Sequence, residues 1–105
     1  MPLTKDFRET VRERLQRDPK ARKALLAEAV ECFLAGEVDT GKAILRDYIN
    51  ATMGFEELSD LTHKPSKSLM RMLGPKGNPQ ARNLFEVIAH LRQAEGLQFE
   101  VSLKR

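Results

Sequence analysis

The chain has 105 residues and a mass of 11.9 kDa, which suits one small domain with a single core. It is 41% hydrophobic and 31% charged with one cysteine, which excludes a disordered composition, an internal disulfide and a multi-cysteine zinc site. No apolar run approaches the roughly 20 residues of a membrane helix, and Met1 to Asp6 lacks a signal-peptide core, so the sequence predicts a cytoplasmic protein with no membrane partner.

Net charge is +3, and its distribution is uneven. Residues 1–23 carry eight basic and four acidic groups, and residues 24–60 carry two basic and eight acidic ones. Residues 61–85 carry Lys64, Lys67, Arg71, Lys76 and Arg82 with no acid. A cationic stretch beside an acidic block suits a phosphate-facing surface, although an ordinary solvated face has the same composition.

Apolar periodicity is helical almost throughout. Leu3, Phe7, Val11 and Leu15 recur every four residues, and Asp6 with Glu9 suits a capping box. Asp18-Pro19 then stops one helix and starts the next, because Asp caps well and Pro fits the first helical position. That second helix runs to about Ala35 on Ala24, Leu25, Val30, Phe33 and Leu34, with Gly36 as its stop. A third starts after Asp39, with Ile44, Leu45, Tyr48, Ile49 and Met53 as its stripe and Gly54 as its break. A short helix from Phe55 to Thr62 and another from Pro65 or Ser66 to about Leu73 follow, joined by His63-Lys64-Pro65. A polar loop from Gly74 leads to Asn78-Pro79, read as a second cap-plus-proline start. The last helix spans about Pro79 to Glu95, with Leu84, Phe85, Ile88 and Leu91 inward and Gly96 as its stop.

The tail changes period. Leu97, Phe99, Val101 and Leu103 alternate with polar residues, which predicts a short C-terminal β-strand. A lone strand has unpaired backbone on both edges and needs a partner. None is evident in this chain, so a second copy or another protein would supply it.

Two short helices joined by a tight turn, with a longer helix after them, suggest a helix-turn-helix. In residues 66–73, Leu69, Met72 and Leu73 form one apolar face. At 100° per residue Lys67 and Arg71 fall together on the other side, with Met70 beside them and Ser66 and Ser68 near the start. Arg can contact guanine bidentately and Ser several bases.

At these residues the chain resembles a known family. Residues 54–73 resemble the helix-turn-helix of the Xre/Cro-repressor-like superfamily, and most of all its addiction-module antidote (antitoxin) branch. The residues that carry the resemblance are Leu58, Lys64, Ser68, Leu69, Arg71, Met72 and Leu73, then Gly77, Asn78 and Pro79, with Asn83-Leu84 and the closing apolar segment. It covers roughly residues 40–103. Five positions depart from the branch's pattern: Ser59 stands for Ala, Thr62-His63 for Leu-Gly at the turn, Pro65 for a Ser cap, and Phe55 for a polar residue that braces the DNA contact. His63 must then take a turn conformation that suits glycine better.

The expected fold is mainly α: a compact helical bundle containing a lambda-repressor-like helix-turn-helix, with a short C-terminal strand. Residues 1–38 form an N-terminal helical extension on the same core, and residues 39–105 the DNA-binding domain. Lys67 and Arg71 are the first candidates for base or phosphate contact. Lys64 and Lys76 flank them as phosphate contacts, and Ser66, Ser68 and Met70 complete the DNA-facing set. Asn78 reads as a helix cap. His63 and His90 lack metal-ligand spacing, Cys32 reads as a small buried hydrophobe without a histidine to activate it, and no nucleotide loop or catalytic set is present. The chain is therefore expected to be neither an enzyme nor a holder of metal or cofactor.

The leading reading is a transcriptional regulator that binds a double-stranded operator as a homodimer, with one recognition helix per half-site, and represses its own promoter. The resemblance implies a toxin partner, usually a small basic RelE-like ribonuclease. An acidic face with Glu28, Glu31, Glu37, Asp39 and Asp47 would complement it. The alternative is a protein-interaction module that binds through that face or the tail and does not read DNA, favoured by Phe55 and Pro65.

Overall fold

The computed structural model describes residues 12–105, and over these it is mainly helical. Residues 12–17 are helical. Five helices follow: α1 (Pro19–Leu34), α2 (Val38–Ala51), α3 (Gly54–Thr62), α4 (Ser66–Met72) and α5 (Ala81–Glu95). The proposed capping box at Asp6 and Glu9, and the apolar positions Leu3, Phe7 and Val11, lie outside the described residues.

The start of α1 follows the sequence expectation. The Ala21 N–H donates to Asp18 Oδ1 at 3.2 Å, and Pro19 occupies the first turn. α1 and α2 then pack as a helical hairpin. Gly41 makes the close approach possible: a Cβ there would lie 2.8 Å from a ring carbon of Phe33. One buried cluster joins Leu26 and Ala29 of α1, Leu45, Tyr48 and Ile49 of α2, Phe55 and Leu58 of α3, Leu69 and Leu73 from the α4 segment, and Leu84, Val87, Ile88 and Leu91 of α5.

The α3–α4 connection is tight. His63 takes the left-handed conformation (φ 59, ψ 31) and its N–H donates to the Ser59 carbonyl. The Ser59 hydroxyl donates to the Lys64 carbonyl at 2.5 Å. Ser59 therefore ties down the turn from both its carbonyl and its hydroxyl.

Two sequence expectations fail. The last helix does not begin at Asn78-Pro79. Gln80 is its cap residue, in an extended conformation, and helix starts at Ala81. The chain must first clear the end of α4, where a Cβ on Gly77 would lie 2.2 Å from the Arg71 carbonyl oxygen. Gly77 lets the loop pass this close, so residues 77–80 have no regular structure and the backbone turns into helix only after Gln80. Nor is there a C-terminal strand: residues 97–105 have no regular structure. Among the described residues no other strand exists to pair with them, and an unpaired extended segment keeps its hydrogen bonds to water. The tail leaves α5 on a defined path nonetheless. Gly96 is left-handed (φ 69), the Leu97 N–H donates to the Arg92 carbonyl, and Arg92 Nη1 donates back to the Leu97 carbonyl at 3.0 Å.

A polar cluster closes the far end of α5. Arg22 Nε donates to Glu95 Oε1 at 2.8 Å, and the Tyr48 hydroxyl donates to the same oxygen. Arg22 Nη1 also donates to the carbonyls of Leu15 and Gln16, at 3.0 and 2.9 Å. Arg22 thus ties the helical segment before α1 to the end of α5. Burial, then the bond to Glu95, raises the Tyr48 phenol well above its usual range. Burial pushes the Glu95 carboxyl up, but the bonds from Arg22 and Tyr48 and the Arg22 charge together outweigh it, so its pKa is lowered.

A carboxylate held below its unfolded value contributes stability that is present above that value and lost as pH falls through the folded one. Glu95→Gln is expected to lower stability at pH 7 by about 1–3 kcal/mol. It should also flatten the loss of stability between about pH 5 and pH 3 relative to the parent. Urea titrations at several pH values check both.

Candidate nucleic-acid interface

α4 is short, and its two sides differ. Leu69 is fully buried and Met72 half-buried, while Lys67, Ser68, Met70 and Arg71 are exposed. The outward face is the one predicted from the 100° spacing, and it presents two cations, a hydroxyl and a thioether. Lys76, on the loop after α4, is exposed as well. Among the described residues Lys67, Arg71 and Lys76 form no ion pair, the pairs there being Arg22–Glu95, Lys42–Asp39 and Lys64–Glu86.

Beside this face lies an open groove of about 580 Å³ between α4, the following loop and the start of α5. Its walls include Lys64, Pro65, Ser68, Arg71, Lys76, Asn78, Gln80 and Asn83. Four of the seven predicted contact residues, Lys64, Ser68, Arg71 and Lys76, therefore share one groove. Lys67 and Met70 lie on the exposed face outside its walls. The remaining one, Ser66, is half-buried, and its hydroxyl donates to Glu56 Oε1 at 3.1 Å. Lys64 is not a free cation, because its Nζ lies 3.3 Å from Glu86 Oε2. Two of the predicted DNA-facing groups, Lys64 and Ser66, are thus already engaged by carboxylates. Asn78 makes no capping bond to α5 and lies in the groove wall instead.

What fixes the groove was not anticipated. Lys42 on α2 is 3% exposed. Its Nζ donates to the Gly77 carbonyl at 2.6 Å and the Gly74 carbonyl at 3.1 Å, with Asp39 Oδ1 at 3.3 Å. One turn on, Arg46 Nη1 donates to the Leu73 carbonyl at 2.8 Å. Arg46 meets the carbonyl of the residue that caps α4, a free acceptor of a helix terminus, whereas Lys42 meets two carbonyls of the loop beyond it. A signal for this was available. Lys42 and Arg46 are the only cations in the acidic stretch 24–60, and they are four residues apart, hence on one helix face.

The other singled-out residues fall away from α4. Phe55 is 5% exposed and belongs to the core, so it occupies no contact position. Glu28, Glu31, Glu37, Asp39 and Asp47 are all exposed. Cys32 is half-buried rather than buried. Burial, followed by nearby Glu37, Glu28 and Glu31, pushes its thiol up, which disfavours the nucleophilic thiolate. Among the described residues no group of three or more His, Cys, Asp or Glu is placed to hold a metal, and no helix is long and apolar enough to cross a membrane. Comparison with protein-family models, curated proteins and solved structures gives no match to the chain.

Lys42→Met keeps the unbranched apolar stem but removes the ammonium that donates to the Gly74 and Gly77 carbonyls, and the Gly77 carbonyl is left without a donor. The expected cost is about 1–3 kcal/mol in urea unfolding. Hydrogen exchange should speed up most in residues 74–80, because that segment loses its anchor while the core keeps its own.

Proposed function

We propose that this protein is a DNA-binding regulator that docks α4 in the major groove, with α3 and the His63 turn as its support. The observation that carries the proposal is the outward face of α4, where Lys67 and Arg71 are exposed and, among the described residues, form no ion pair, with Lys76 exposed on the loop that follows. A helix with one buried apolar side and one cationic side, seated on a rigid turn, suits insertion into a groove about 12 Å wide. Arg71 and Lys67 would reach base edges or phosphates, Ser68 and Met70 would add a hydroxyl and an apolar contact, and Lys76 would meet the backbone. The protein would act as a dimer, one α4 to each half-site, and repress by occluding its own promoter. The resemblance of residues 54–73 to antitoxins extends the reading to a toxin–antitoxin operon, with a basic toxin on the acidic face of Glu28, Glu31, Glu37, Asp39 and Asp47.

Fluorescence anisotropy with the duplex upstream of the coding region, against a scrambled duplex, tests this. Expected is preferential binding that weakens steeply with salt. Lys67→Ala with Arg71→Ala should reduce affinity at least a hundredfold while the helical circular dichroism is unchanged. Unchanged affinity in the folded double variant would exclude α4 as the reading helix.

The Lys64–Glu86 pair generates a second prediction. Glu86 places a carboxylate beside the groove that would receive phosphates, and it occupies Lys64. Glu86→Gln is expected to tighten binding several-fold and to steepen the salt dependence by about one ion, as Lys64 is released to a phosphate. The same titration repeated across a salt series measures it.

A further inference from the structure

The tail combines two observations that do not fit a monomer. Its sequence has strict period-two alternation from Leu97 to Leu103, the pattern of a strand with one apolar face. On that face the cover runs out along the tail: Leu97 is half-buried and Phe99 36% exposed, but Val101 is 80% and Leu103 100% exposed. A strand needs backbone partners on its edge, and the described residues offer none.

We propose that the tail is a dimerisation strand whose partner is the same tail of a second copy, paired antiparallel about a two-fold axis at Ser102. This deepens the dimeric reading above and does not require that DNA be bound. Residues directly opposite in an antiparallel pair share a face. Any register centred between two residues sets apolar side chains against polar ones and is excluded. A register centred on Glu100 sets two carboxylates face to face, which destabilises. A centre at Val101 sets Glu100 opposite Ser102 of the partner subunit and forms no directly opposed charge pair. The centre at Ser102 alone sets Glu100 opposite Lys104 of the partner subunit, and by symmetry does so twice. It also sets Val101 opposite the partner's Leu103, twice. Charge and apolar patterns are therefore self-complementary in one register.

The geometry leaves room for both bodies. In this register the two Leu97 positions stand about ten residues apart along the ribbon, roughly 34 Å at about 3.4 Å per residue. The molecule measures 38 × 34 × 29 Å, so two copies stand side by side at opposite ends of the ribbon. The Gly96 and Arg92 contacts at the exit of the tail fix where each strand begins.

Sedimentation equilibrium of the full chain at about 100 μM without DNA tests the proposal, in a Cys32→Ser background. Expected is a dimer. Glu100→Lys should weaken it about tenfold by turning two attractive pairs into two repulsive ones, and adding Lys104→Glu should restore it. Ser102→Cys should form a disulfide-linked dimer under mild oxidation, because opposed positions on the axis have Cα atoms about 4.5–5.5 Å apart. Gln98→Cys, which has no opposed residue, should not. Circular dichroism confirms that each variant is folded. A monomer at this concentration overturns the proposal and points the tail to the sheet edge of another protein. A dimer unaffected by Glu100→Lys, a charge swap that fails to restore it, or crosslinking at Val101→Cys in preference to Ser102→Cys overturns it as well.

Discussion

A lysine ammonium lies buried beneath the loop that follows α4. Removing a charge from water costs several kcal/mol unless its hydrogen bonds are replaced, and Lys42 replaces them with two carbonyls and the Asp39 carboxylate. Those carbonyls belong to Gly74 and Gly77, so the cost of burying the cation is offset only while the loop lies flat against the end of α4. Gly77 in turn allows the loop to lie there, since any side chain would meet the α4 backbone. Arg46 secures Leu73 in the same way. The path of the loop that carries Lys76, and with it the late start of α5, rests on this contact between α2 and a loop distant in sequence.

Helix starts and stops were legible where one residue carries them. Asp18 with Pro19, Gly36, and Gly96 act through their own backbone preferences, and the structure places them as the sequence predicts. The outward face of α4 was legible for a similar reason, because the spacing of Leu69, Met72 and Leu73 sets its orientation. The failures have a different cause. Asn78-Pro79 is a strong local start signal, but a contact between Gly77 and α4 overrides it, and no local pattern encodes such a contact. Lys42 reads locally as a solvated lysine, and only the tertiary position of the α4 terminus makes it a buried anchor. The tail pattern specifies a strand, whereas the strand itself requires an edge that one chain does not provide.

The electrostatics around α4 are mixed. Among the described residues Lys67, Arg71 and Lys76 form no ion pair, while Lys64 and Ser66 are engaged by Glu86 and Glu56. The carboxylates lie on α5 and α3, flanking α4 on both sides, and reduce the positive potential at the edges of the face. A polyanion that approaches this surface meets attraction at its centre and repulsion at its margins. Such an arrangement lowers affinity for any phosphate chain and raises the relative weight of contacts made by Lys67 and Arg71.

The chain has a single tyrosine and no tryptophan. That tyrosine is Tyr48, buried at 2% exposure with its hydroxyl on the Glu95 carboxylate. Near-ultraviolet emission from the protein therefore comes mainly from one ring, and a phenol bonded to a carboxylate is quenched by proton transfer in the excited state. The molecule carries its own unlabelled optical reporter for the Arg22–Glu95 junction, brightening when that junction opens and insensitive to events confined to the tail.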